Sequence, residues 1–156
     1  MHNRKLKVRA QFDLLAPDVD RWQRRNRYYH QDQIRYLRYV VGTGKRVLVL
    51  GCGTGDLLNA LAPGSGVGID ISPAIIEVAR RKYPHLRFEV GDADQFELPG
   101  ESGFDYIILS DLVGYIDDVQ LCLERLRGTA SRIRVSSFPT TTCCGSLCSS
   151  SVKNWV

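Results

Sequence analysis

Six consecutive residues, Gly51-Cys52-Gly53-Thr54-Gly55-Asp56, carry the strongest chemical signal in the chain. A run of branched apolar residues, Val47-Leu48-Val49-Leu50, leads into them, and Leu57, Leu58 and Leu61 follow at helical spacing. Bare glycine backbone lets a ligand approach the main chain closely, and the first amides of the following helix point at it. Asp70 stands nineteen residues after Gly51, at the end of a second apolar run, Gly66-Val67-Gly68-Ile69. An acidic residue about 20 positions downstream, at the tip of the next strand, is placed to accept hydrogen bonds from ribose hydroxyls. The pattern points to a nucleoside ligand. A tight turn that needs glycine only for its own geometry is the plainer reading of the same residues.

Which nucleoside is decided by spacing and charge. A dinucleotide fingerprint requires G-x-G-x-x-G/A, and here the sixth position is Asp56. A carboxylate beside two phosphates is electrostatically unfavourable, which disfavours NAD and FAD. An NAD-dependent oxidoreductase stays an alternative that would have to bind its cofactor despite Asp56. No H-E-x-x-H, Walker or G-x-S-x-G pattern occurs, and no metal is expected.

The elements that must position these residues alternate between strand and helix. A helix is expected over Val19–Val41, with Asp18 as its cap and Gly42-Thr43-Gly44 ending it. Strands follow near 46–50, 66–70, 86–90 and 104–110, with helices between them near 55–61 and 73–83, and a last helix over 118–127. Ser72 can cap the helix that opens at Pro73. This order predicts a doubly wound α/β fold with a mainly parallel sheet, helices on both faces and the ligand at the carboxyl ends of the strands.

A chain of 156 residues is long enough for one domain. Its net charge of +4 gathers before residue 47, where Arg21, Arg24, Arg25, Arg27, Arg35 and Arg38 recur on one expected helix. Asp18, Asp20 and Asp32 interrupt that run, so a solvated helix face is favoured over a nucleic-acid surface. Trp22, Tyr28, Tyr29, Tyr36 and Tyr39 lie on the same stretch and are expected mostly to pack, one or two of them over the ligand. No apolar leader core follows the basic start, and no stretch approaches the ~20 apolar residues that span a bilayer, so the expected location is the cytoplasm.

Taken together, G-C-G-T-G-D, the aspartate at 70 and the alternation that follows resemble class I S-adenosylmethionine-dependent methyltransferases. The closest flavour is the branch of ubiquinone and menaquinone biosynthesis enzymes, in which F-D-x-x-A precedes the core, here Phe12, Asp13 and Ala16. The resemblance runs from about residue 10 to residue 127. It implies S-adenosyl-L-methionine as cofactor, bound without phosphates. It also implies that Gly51, Cys52, Gly53 and Gly55 lie under the methionine portion and that Asp70 binds the ribose. Ile71 would pack on the adenine, Asp92 would accept from the adenine amino group, and the Ala93 amide would meet a ring nitrogen. Ser110 and Leu112 would face the methionine end and the transferred methyl. Val19-Asp20 departs from the tyrosine–aspartate pair common in the family. The implied acceptor is a small molecule, a lipid or a saccharide.

Plain readings stand beside these. Asp92 and Asp94 also fit as turn formers. Asp111 fits either a general base or a carboxylate closing the loop after a strand. His30 and His85 have no metal or triad spacing and are expected at the surface or in packing. No catalytic residue is assigned.

From residue 128 the character of the chain changes. One further strand fits 128–139, and then comes a low-complexity run containing Cys143, Cys144 and Cys148, whose spacing is poor for a metal. Shifting the reading frame near Gly128 permits H-R-K-P-D-T-R-L-I-I-S-Y-Y-N-L-L-W-E-P-L-L, which looks like the continuation this branch expects. The expected organisation is therefore an N-terminal helical segment over the cofactor site (1–45), a Rossmann-like core (46–127) and an atypical, frame-shifted tail (128–156). The fold would then be incomplete at its C-terminal edge, leaving a cofactor-binding half with weak or no turnover.

Overall fold

The computed structural model describes residues 3–95 and 103–136. Its centre is a five-stranded parallel sheet in the order β3-β2-β1-β4-β5. The strands are β1 (Arg46–Leu50), β2 (Ser65–Asp70), β3 (Arg87–Val90), β4 (Phe104–Ser110) and β5 (Ala130–Ser136). Among the described residues six α-helices accompany them: α1 (Asn3–Leu15), α2 (Val19–Arg25), α3 (Arg27–Val41), α4 (Asp56–Ala60), α5 (Pro73–Lys82) and α6 (Val119–Leu126).

β1 shows why a continuous apolar run becomes a central strand. Val47 and Val49 face one core with α3, α4 and α5, while Leu48 and Leu50 face the other with α6. All four are fully buried. A strand covered on both faces has no use for polar alternation.

Local signals act as their chemistry predicts. The Ser72 Oγ accepts from the Ile75 amide at 3.2 Å and so caps α5. Asp118 caps α6 in the same way, through the Leu121 amide at 2.9 Å.

Three expectations are corrected. The helix foreseen over Val19–Val41 is two helices, parted at Asn26, whose side-chain Nδ2 donates to the Trp22 carbonyl at 3.1 Å. A short amide side chain that satisfies the backbone locally competes with helix continuation. Asp18 makes no capping hydrogen bond, because a 3-10 turn at Ala16–Asp18 feeds directly into α2. Tyr28, Tyr36 and Tyr39 do not pack: they are 70%, 61% and 90% exposed, and α3 buries Gln33, Leu37 and Val41 instead.

α1 falls within the segment 1–45 expected to be helical, ahead of the individual helix expected from Val19. Its attachment to the core is largely polar, and Leu6 and Leu14 remain exposed on it. The strand expected within 128–139 is β5, and the cysteine-rich run lies outside the described residues. Among the described residues no helix is long and apolar enough to cross a membrane.

Candidate functional site

A cavity of about 1170 Å³ opens at the carboxyl ends of β1, β2, β3 and β4. Its floor is the turn after β1. The amides of Gly51 and Cys52 both donate to the Ile69 carbonyl, at 2.9 and 3.0 Å, which draws the turn against β2. A Cβ on Gly51 would stand 2.8 Å from the Ser110 carbonyl oxygen, so β1 and β4 converge there only because the side chain is missing.

The next two glycines differ. Gly53 lines the cavity with φ of 53°, and an added Cβ would meet nothing within 4 Å. Gly55 has φ of 85° and does not line the cavity; its missing Cβ makes room for Phe88, whose Cζ would lie 2.6 Å away. Cys52 lines the cavity with its thiol buried, and burial, with Asp70 nearby, pushes that thiol well above its ordinary pKa.

Asp70 ends β2 in the cavity wall. Its carboxylate accepts from the Gly53 and Ser72 amides, each at 3.0 Å. Burial still holds its pKa above the ordinary aspartate value, although the Ser72, Gly53 and Ile71 amides pull it down. The carboxylate stands in the cavity wall, where its remaining acceptor capacity is open to ligand hydroxyls. Ile71 lines the same wall.

Asp92 and Ala93, after β3, also line the cavity. Asp92 is engaged from α1: Lys5 Nζ donates to Asp92 Oδ1 at 2.9 Å and to Asp94 Oδ2 at 2.5 Å. Lys5 is only 4% exposed. Burial would lower its pKa, but the hydrogen bonds to Asp94 and Asp92 outweigh that and leave it raised.

Ser110, the last residue of β4, and Asp111 and Leu112 just beyond it complete the wall. Asp111 holds φ of 50°, and both its carboxylate oxygens accept from the Tyr29 hydroxyl, at 2.5 and 2.6 Å. Gln33 Nε2 donates to Ser110 Oγ at 3.4 Å. The loop after β4 is therefore held by the first turns of α3.

Asp56, the residue that argued against a diphosphate, is itself occupied. It accepts from Lys82 at 2.8 Å, Thr54 Oγ1 at 2.5 Å and the Tyr83 hydroxyl at 2.7 Å. Burial raises its pKa, yet these three donors outweigh burial and leave it below the ordinary value. Burial and the Asp56 carboxylate push the Tyr83 hydroxyl up to about 12.

Two residues were missed from sequence. Lys5 reads there as part of a basic start, and its carboxylate partners lie 87 and 89 positions away. His30, read as a surface or packing residue, lines the cavity. Its ring meets Trp22 edge-on at 5.6 Å, and its Nε2 is buried without a hydrogen-bond partner. His85 is exposed, as one of its two readings allowed.

A doubly wound parallel sheet with a glycine turn and an acidic strand end at its switch point defines the Rossmann-like class of nucleoside-binding domains. Residues 47–130 match the family model described as "Methyltransferase domain". The chain belongs to that family, and its fold is that of class I S-adenosylmethionine-dependent methyltransferases.

It is 39% identical over 72 residues to the phthiotriol/phenolphthiotriol dimycocerosates methyltransferase of Mycobacterium leprae, covering 42% of this chain and 26% of that protein. It is 38% identical over 60 residues to the demethylmenaquinone methyltransferase of Chlorobaculum parvum, covering 36% of this chain and 25% of that protein. The magnesium protoporphyrin IX methyltransferase of Synechocystis, solved with S-adenosylmethionine bound, shares the fold. Its TM-score is 0.69 at 22% identity, over 89% of this chain and 78% of that one. The chain spans about a quarter of the length of the two curated relatives, 26% and 25%.

Proposed function

We propose that the cavity binds S-adenosyl-L-methionine and that the chain serves methyl transfer to a small-molecule, lipid or saccharide acceptor. The observation that carries the reading is the pair Gly53 and Asp70: open space above a left-handed glycine, beside a strand-end carboxylate that lines the same cavity and accepts from the Gly53 amide. Gly51, Cys52 and Gly53 would support the methionine portion, Asp70 the ribose and Ile71 the adenine face. Asp92 would take the adenine amino group as Lys5 yields it, with the Ala93 amide on a ring nitrogen. Ser110 and Leu112 would bound the methyl end. Gly55 contributes indirectly, by letting the turn seat on Phe88.

The bound sulfonium supplies an activated methyl group. The chain's own part is to align an acceptor with it, and orientation alone can lower the barrier by on the order of 7–11 kcal/mol. The names of the two relatives above, phthiotriol dimycocerosates and demethylmenaquinone methyltransferases, support a small-molecule or lipid acceptor.

Isothermal titration tests the reading. S-adenosylmethionine should bind the wild type, and Asp70→Ala should weaken it about tenfold or more, the worth of a charged hydrogen bond. Binding of NAD(H) in its place would overturn the assignment. A turnover assay on the protein carrying the regrouped reading from Gly128 separates an active transferase from a non-catalytic cofactor-binding module.

A further inference from the structure

α1 lines the cavity along its length, through Lys5, Val8, Gln11, Phe12 and Leu15. Its Lys5 ammonium stands on Asp92, the carboxylate assigned above to the adenine amino group, at 2.9 Å. Beneath that ammonium the Asp92 side chain is only 15% exposed. A carboxylate already neutralised by a cation holds a second, uncharged donor more weakly, and little of its surface is left for one.

Lys5 can leave without orphaning its partners. Asp92 Oδ1 also accepts from the Asp94 amide at 3.1 Å, and Asp94 Oδ2 also accepts from the Asp117 amide at 2.9 Å. The departing ammonium regains its water, whose loss is what makes burying a charge costly. At the same end of α1, Arg4 is exposed on Asp117 and the Gly114 carbonyl, and Leu6 packs on nothing that buries it. The far end is anchored, with Asp13 on Ser72 and Ala74 and Phe12 on Tyr115. The first turns can therefore lift about a fixed end.

We propose that Lys5 is a latch set against the cofactor. It holds Asp92 while the adenine end of the cavity is empty. A purine amino group that takes Asp92 sends the ammonium to solvent and lifts the first turns of α1. The proposal rests on the cofactor reading above, which puts the adenine amino group at Asp92. The sulfonium brings positive charge into the cavity and offsets part of what the two carboxylates lose. Such coupling is reciprocal: by whatever factor adenine loosens Lys5, Lys5 weakens the hold on adenine. The scale is about tenfold, the worth of one charged hydrogen bond.

Calorimetry separates this proposal from the reading beneath it. If neither the wild type nor Lys5→Met binds S-adenosylmethionine, the cofactor reading falls and the latch with it. Where the wild type binds, acetylation by acetic anhydride, read by mass spectrometry, follows Lys5 itself. In the free chain buried Lys5 should react more slowly than exposed Lys7. Saturating S-adenosylmethionine should raise the Lys5 rate relative to Lys7 by about tenfold. Backbone hydrogen exchange should quicken in the first turns of α1 while the strands are slowed.

Lys5→Met should bind S-adenosylmethionine about tenfold more tightly than the wild type, a gain that a merely structural lysine would not give. Arg4→Ala leaves Lys5 and Asp92 in place and removes only an exposed contact. It should bind about twofold more tightly, and it decides the matter if Lys5→Met does not fold. A Lys5 that the cofactor shields or leaves unchanged overturns the latch. So does an affinity in Lys5→Met, or in Arg4→Ala where that variant decides, no higher than that of the wild type.

Discussion

Gly53 and Gly55 hold φ of 53° and 85°, yet a methyl group added at each would meet different surroundings. At Gly55 it strikes Phe88, so Gly55→Ala should cost about 2–3 kcal/mol, read from the urea midpoint. At Gly53 it meets only open space. Gly53→Ala should therefore cost about 1 kcal/mol of stability for the left-handed backbone, while cofactor affinity in calorimetry should fall by more than that.

Two carboxylates set opposite pH trends. Asp70 titrates higher in the fold than unfolded, so its contribution favours folding at low pH and is lost as pH rises through its raised value. Asp56 titrates lower, so its contribution is present above the ordinary aspartate value and is lost as pH falls through its depressed one. Urea midpoints across the acid range should lose the first trend in Asp70→Asn and the second in Asp56→Asn. Asp70 was legible in sequence because its distance from Gly51 is set by one strand–helix–strand unit. His30 was not, since its environment is made by residues that only folding brings together.

At the level of elements, strands buried on both faces declare themselves as apolar runs, and β1 and β4 lie where the sequence placed them. α1 gave no such signal, because its docking is done by charge and hydrogen bonding. Arg4 reaches Asp117 at 3.2 Å and the Gly114 carbonyl at 2.8 Å. Asp13 accepts from Ser72 Oγ at 2.5 Å and from the Ala74 amide at 3.3 Å, at the amino end of α5 where a carboxylate is favoured. The F-D-x-x-A segment is thereby explained piece by piece. Phe12 meets Tyr115 edge-on at 5.6 Å, Asp13 holds α5, and Ala16 is buried.

Lys5→Met should destabilise the chain by about 3 kcal/mol, because two partly buried carboxylates would face each other without their cation. Hydrogen exchange should show the loss concentrated in α1. The break at Asn26 was equally hidden: the arginines and tyrosines on either side continue a helical pattern, and a single side-chain amide decides otherwise.

For the molecule as a whole, the doubly wound parallel sheet was legible from alternation, while the order β3-β2-β1-β4-β5 is visible only in the strand pairing of the described residues. β5 pairs with β4 from Phe104↔Ala130 to Ser110↔Ser136, and among the described residues its other edge has no paired strand. Exposed edges invite pairing with other chains. Replacing the residues from Gly128 onward with the regrouped reading should raise the melting temperature and reduce concentration-dependent association in sedimentation.

One trait of α1 reaches beyond stability. A wall of the binding chamber is fastened largely by ionic clasps, with its apolar residues Leu6 and Leu14 left outside. Dissolved electrolyte loosens exposed clasps such as Arg4–Asp117 far more than a close-packed greasy seam. Added salt should therefore free the start of α1 from the loop at Gly114–Asp117 before it disturbs the sheet, a change that hydrogen exchange at rising ionic strength would read.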